Sequence, residues 1–221
     1  MNFDVTYYSR IYRDFRAIDA EDYTVTVHYY EDHEAGIQRL DFTEYFEILT
    51  AYTYALYNIN EHAKHILMSE VVVGEAIRHN IRQYKGEDVF YNTLLRKAVS
   101  CNALLRHAEA EHILRELIKI KPDNKYTQRE LRRCLHRQPP AYLKKMRAFC
   151  VFLFFLSGAV IVAELLFIKN FFPLYTAYFE YTRITLFVGG VTLLFGSELF
   201  FKYQTRRKTL FLTEQARSAR R

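Results

Sequence analysis

AFCVFLFFLSGAVIVAELLFI, residues 148–168, and ITLFVGGVTLLFGSELFF, residues 184–201, decide the architecture of this chain. A helix crossing the apolar core of a bilayer needs roughly 20 apolar residues, each rising about 1.5 Å. The first run reaches that length and the second nearly does, so the pair predicts a membrane hairpin joined by residues 169–183. Everything before it is polar enough to be a soluble unit. The expected order is a helical domain over 1–137, then a proline-containing basic linker over 138–147. Transmembrane helices follow over 148–168 and 184–201, with an outer loop 169–183 between them and a basic tail over 202–221.

The flanks orient the hairpin. Lys144, Lys145 and Arg147 precede the first run, and Lys202, Arg206, Arg207 and Lys208 follow the second, whereas the loop offers Lys169 and Arg183. Basic residues stay on the cytoplasmic side, so both termini are expected there. Tyr175, Tyr178 and Tyr181 in the loop suit an interfacial aromatic belt. Met1 to Arg10 is too polar for a secretory signal, so the N-terminal domain is expected to remain inside.

Charge is uneven along the chain. Residues 1–90 carry a net −8, residues 91–147 a net +9 and residues 148–221 a net +5. The basic excess clusters beside the apolar runs, so anionic lipid headgroups are the expected partner of the seven flanking cations and nucleic acid is not expected. Cys101, Cys134 and Cys150 are widely spaced, with no CxxC pair. That spacing argues against a disulfide framework or a zinc site and fits a reducing compartment.

Before the hairpin the sequence reads as helix throughout. Asp41-Phe-Thr-Glu44 and Thr127-Gln-Arg-Glu130 have capping-box spacing, and Asp19-Ala-Glu-Asp22 is a weaker relative. Gly36 and Gly86 stand where helices could end in a left-handed turn, and Pro139-Pro140 interrupts the chain before the first apolar run. Ile66, Val73, Ile77, Ile81 and Tyr84 share a face of one long helix, while Leu104, Leu105, Ile113, Leu114, Leu117, Ile118 and Ile120 form the apolar side of a later pair. Tyr23, Val25, Val27 and Tyr29 alternate like a strand, but a lone strand among helices has no partner for its backbone groups, so helix is expected there too.

Small residues recur at fixed offsets. Ala51 and Ala63 are 12 apart, as are Ala98 and Ala110, and Pro122 follows another 12 later. With the run Ala110-Glu-His-Ile-Leu-Arg-Glu-Leu-Ile-Lys-Ile-Lys-Pro-Asp-Asn124, this resembles the tetratricopeptide repeat, a 34-residue helical hairpin with small residues at the helix crossing and a closing proline. Tyr54 falls where that family has its first-helix tyrosine, and Thr26 stands for the alanine of an earlier unit. Thr50 and Lys97 replace a preferred leucine and no unit has the tryptophan. Glu75 replaces the middle proline, extending that helix to about Tyr84, and the matched positions Thr26, Ala63 and Ala110 are 37 and 47 apart. The resemblance implies an all-α solenoid of three irregular repeats over residues 3–124, capped by a helix over 126–137. It also implies a concave, partner-binding groove faced by Tyr45, Tyr52, Asn92, Leu95, Val99 and Asn102. The whole layout is similar to bacterial tetratricopeptide membrane proteins, which implies the inner membrane.

Catalytic signals are absent from the sequence. His62 and His65, with Glu61 nearby, have no third ligand at matching spacing, and His107 and His112 are not at metalloprotease spacing. No phosphate-binding glycine loop or nucleophile elbow is present, so neither an enzyme nor a metal or cofactor is expected. Ionisable groups at membrane depth are functional candidates, and Glu164 and Glu198 lie there. Lys202, four residues on, is the expected partner of Glu198, and Arg183 or Lys169 that of Glu164. Ala159 with Ala163, Thr192 with Gly196, and Gly189-Gly190 offer close helix contact, within the hairpin, in a homo-oligomer or with a larger membrane complex. Two functions remain. One is a membrane-anchored adaptor that holds a protein or peptide at the inner face. The other is a membrane effector or channel-like subunit whose hairpins oligomerise when the soluble domain senses a ligand.

Overall fold

The computed structural model describes residues 9–84, 86–138, 140–163, 166 and 176–219. The fold is all-α. Its helices are α1 (Arg10–Arg16), α2 (Tyr23–Ile37), α3 (Phe42–Asn58), α4 (His62–Arg78), α5 (Val89–Ala103), α6 (His107–Ile120), α7 (Lys125–Arg137), α8 (Ala141–Ala163) and α9 (Thr176–Ser218). Strands β1 (Gln83–Tyr84) and β2 (Glu87–Asp88) form a small antiparallel hairpin between α4 and α5, turned at Gly86 with φ 79°. Two compact units result: Met1–Cys134 with Gln215–Arg221, and Leu135–Glu214.

In the first unit, helices adjacent in sequence pack on each other, α2 on α3, α3 on α4, α4 on α5 and α5 on α6. Ends are set by local chemistry. Ser9, Asp22, Asp41 and Asp88 cap α1, α2, α3 and α5, each accepting a first-turn backbone N–H. The stretch Tyr23–Tyr29 is helical. Glu44 does not reach back to Asp41; its carboxylate takes the Ser9 N–H at 3.1 Å and the Ser9 hydroxyl at 2.8 Å, tying α1 to α3. Nor does Thr127 cap α7. Asn124 accepts the Tyr126 N–H at 2.9 Å, and the Thr127 hydroxyl bonds that of Tyr91 at 2.6 Å inside the core.

Three helices stop on left-handed residues other than glycine: Asn60 after α3, Asn80 after α4 and Leu105 after α5, with φ of 64°, 53° and 62°. Each is followed by a 6→1 hydrogen bond, Glu61 to Leu56, Ile81 to Ala76 and Arg106 to Cys101, the Schellman arrangement that satisfies last-turn carbonyls. So α4 ends at Arg78 and does not run on to Tyr84, because the chain turns at Asn80. Ile77, expected inside, is 65% exposed, because the buried face of α4 runs through Ile66, Ser69, Val72 and Ala76. Gly36 lies within α2, where a Cβ would meet Ile11 Cδ1 at 2.6 Å, so its role is close approach to α1.

The pairs α3–α4 and α5–α6 correspond at an offset of 45, that of Asn60 and Leu105. Under it Tyr52, Ala55 and Leu56 match Lys97, Ser100 and Cys101, and His65, Ser69 and Val72 match Ala110, Leu114 and Leu117; all are buried. This corrects the expected spacing of 47. Ala63 is exposed, and the counterpart of the fully buried Ala110 is His65.

The second unit contains an antiparallel helix pair. The Tyr142 hydroxyl donates to Gln204 Oε1 at 2.7 Å, Arg147 meets Glu198 at 3.1 Å, and the Phe154 and Phe187 rings are 5.7 Å apart. Leu143, Cys150 and Ser157, seven residues apart, are buried. Helix α8 starts at Ala141, so residues 141–147 are its first two turns and not a linker; α9 includes the loop's end and runs unbroken through residue 201. No proline interrupts either helix, and glycine is tolerated in apolar helices of this kind. Segments Ala141–Val162 and Tyr181–Ser218 are long and apolar enough to cross a membrane, with 11% of each apolar window buried.

Candidate functional site

The helices that open each hairpin, α1, α3 and α5, together with α7, line a continuous cleft in the first unit. One part, about 650 Å³, is bordered by Phe15, Arg16, Glu47, Ala51, Tyr54 and Tyr84 among others. A second, about 340 Å³, is bordered by Tyr54, Tyr57, Asn92, Leu95, Val99 and Tyr126. Glu87 and Arg96 border both, and also a small recess that reaches His65.

Arg96 is the centre of this surface. Its guanidinium lies 4.5 Å from the Tyr54 ring centroid, a cation–π stack, and 3.8 Å from the Glu87 carboxylate. Asn92 donates to the same carboxylate at 2.8 Å. The ring holds the guanidinium on one side while the distant Glu87 leaves donors for a visiting carbonyl or carboxylate. Tyr23 meets Tyr54 edge-on at 5.8 Å. Burial, then the neighbouring Tyr126 phenol, pushes the Tyr57 pKa up.

The far wall is braced by a buried carboxylate. Tyr12 donates to Glu47 Oε2 at 2.7 Å, Arg16 approaches Oε1 at 3.3 Å, and Tyr84 adds a hydrogen bond from the β-hairpin. Burial and this carboxylate raise both phenols, so they are protonated donors. A buried charge needs such pairing, and here three side chains from α1 and β1 supply it.

Of the six residues expected on the groove, Asn92, Leu95 and Val99 meet there. Tyr45 is half-buried outside the cleft. Tyr52 is buried, its ring stacked 3.9 Å from Tyr30 and its hydroxyl on Glu31 at 3.2 Å. Asn102 is buried against His107 Nδ1 at 2.8 Å. Tyr45 and Tyr52 fall off the cleft because the register of α3 differs by two residues from the expected one, whereas Asn102 is taken up by His107. Arg96 was legible: Asn92, Leu95, Arg96 and Val99 stand at i, i+3, i+4 and i+7, one helical stripe. Tyr126 and Tyr84 come from α7 and the β-hairpin, which local periodicity does not connect to α5.

His62 and His65 share one hydroxyl, that of Ser100, at 3.1 and 2.9 Å, and Ser69 lies 3.2 Å from His65 Nε2. Ser100, His65 and Ser69 are fully buried, so this Ser–His contact holds α4 to α5. Among the described residues no group of three His, Cys, Asp or Glu has metal-binding geometry.

In the hairpin, Glu198 pairs with Arg147 of α8 and not with Lys202. Glu164 and Lys169 lie outside the described residues. Gly190 receives the Phe154 ring, where a Cβ would stand 3.3 Å from Cε1, whereas Gly189 and Gly196 have no such neighbour among the described residues.

Compared with protein-family models, with characterised proteins and with solved structures, the chain matches none of them. The cleft and the hairpin therefore carry the functional reading by themselves.

Proposed function

We propose that this chain is a membrane-anchored adaptor whose helical-hairpin stack, of tetratricopeptide type, binds a protein or peptide partner in the cleft around Arg96. The observation that carries this reading is the cleft itself, built by successive opening helices and centred on an arginine held by aromatic stacking with donors to spare. Arginine and tyrosine are the residue types that dominate binding surfaces. The apolar hairpin supports a bilayer anchor: Phe152, Phe155, Phe195 and Leu199 are all more than half exposed, and such a surface needs lipid cover. The basic flanks favour both termini on the cytoplasmic side, and the likeness to bacterial tetratricopeptide membrane proteins favours an inner membrane. Pairing of Glu198 with Arg147 favours an anchor over an ion path, because the carboxylate is already compensated.

A photo-crosslinking residue at Val99, in the cleft, is compared with one at Leu67, exposed on α4. The adaptor reading expects a discrete protein adduct at position 99 that falls at least tenfold with Arg96→Glu, which sets a second acid beside Glu87. Equal adducts from both positions, or adducts indifferent to Arg96→Glu, overturn it.

A further inference from the structure

The geometry points to a collar on the α8–α9 hairpin that binds the phosphates of anionic glycerophospholipids, an inference that rests on the membrane reading above. Six cations form it: Lys144 and Lys145 on α8, and Lys202, Arg206, Arg207 and Lys208 on α9, all exposed. The contacts Tyr142–Gln204 and Arg147–Glu198 fix the register of the two helices. That register brings Lys144 and Lys145 level with Lys202, and the three cations of 206–208 one to two turns further out. From Lys202 to Lys208 the helix rises about 9 Å. The polar headgroup layer of one leaflet is about 5–7 Å thick, half the difference between a bilayer's full thickness and its apolar core. The six charges therefore occupy roughly one headgroup layer.

Their pairing differs from that of the cation next to them. Arg147 is neutralised by Glu198, about 6 Å deeper on α9 than Lys202, as a charge nearer the hydrocarbon must be. Among the described residues none of the six takes an ion pair or a hydrogen bond to a side chain. Six like charges on adjacent turns repel one another and need a counter-charge from outside. Tyr142 and Tyr203, 41% and 61% exposed, stand at the same level. Amphipathic rings at that height mark the headgroup boundary. Phosphodiester oxygens are the acceptors that fit Arg and Lys there.

The test uses the full chain in phosphatidylcholine nanodiscs and in discs doped with phosphatidylglycerol. Spin-labelled versions of each lipid report the fraction held at the protein. The expected result is preferential retention of labelled phosphatidylglycerol, by roughly the fivefold that one cation near an anionic surface supplies, weakening as salt rises. Replacing all six cations by Gln should abolish the preference. Arg206→Gln, Arg207→Gln and Lys208→Gln together should reduce it, which keeps the test valid if the sixfold variant does not insert. Equal retention of both lipids by wild type overturns the collar while leaving the anchor intact. A preference that survives the triple and sixfold changes also overturns it. Failure of wild type to enter either disc overturns the membrane reading and the collar with it.

Discussion

His65 sits where the other helix pair has Ala110, and its hydrogen bonds fix its protonation. Ser69 Oγ donates to the His65 carbonyl at 2.6 Å, so it can only accept from Nε2–H. Nδ1 is then the acceptor, taking the Ser100 hydroxyl, whose oxygen is left to accept from His62 Nδ1–H. A second proton on His65 would face that hydroxyl's hydrogen. Burial foremost, then His62 and Arg96, pulls the His65 pKa down to about 4 from 6.5. Between those values the unfolded chain takes up a proton that the folded chain refuses, so stability is full above pH 6.5 and is lost as pH falls toward 4. The loss is about 3 kcal/mol. Denaturation of the detergent-solubilised chain at stepped pH should show that slope, and His65→Gln should flatten it. An unchanged slope in the variant would assign the effect elsewhere. From sequence alone nothing marks His65 as buried, because its burial depends on Ser100, 35 residues away.

At the level of elements, Ala110 is fully buried in α6, which packs on α5. Ala110→Leu should destabilise the first unit by about 1–3 kcal/mol through overpacking, read from its denaturation midpoint; no shift would mean that this crossing tolerates bulk. Helix identity was legible because apolar periodicity and Asp caps are local signals. Helix ends were less so. Asn60, Asn80 and Leu105 terminate helices without glycine, and the turn at Asn80 made room for a β-hairpin that places Tyr84 and Glu87 on the cleft. In the second unit, Arg147→Gln leaves Glu198 unpaired near membrane depth, at a cost of up to about 2.5 kcal/mol. Adding Glu198→Gln should recover most of it, since the charge leaves with its partner. Thermal inactivation of the two variants in one detergent measures this, and a double variant no better than the single would deny the pair its structural role. Spacing on one helix suggested Lys202 instead; the antiparallel register that brings in Arg147 is a long-range property.

For the whole molecule, two apolar runs and a polar stretch before them were enough to separate a helical unit from a hairpin. The cleft was half legible. Asn92, Leu95 and Val99 lie on one helix stripe, but the tyrosines and carboxylates around them come from α1, α3, α7 and the β-hairpin, and only packing joins these. In the proposed arrangement the hairpin spans a membrane and the cleft lies on its cytoplasmic side. Cys101, Cys134 and Cys150 are fully buried, so single exposed cysteines can be added to the native chain as reporters. Tyr178→Cys lies beyond the apolar run at one end of α9, and Glu214→Cys at the other; both positions are exposed. In intact cells an impermeant thiol reagent should label the cysteine at 178 and spare the one at 214 until the membrane is permeabilised. Labelling at 214 with protection at 178 would invert the topology, and equal labelling of both in intact cells would contradict a spanning hairpin.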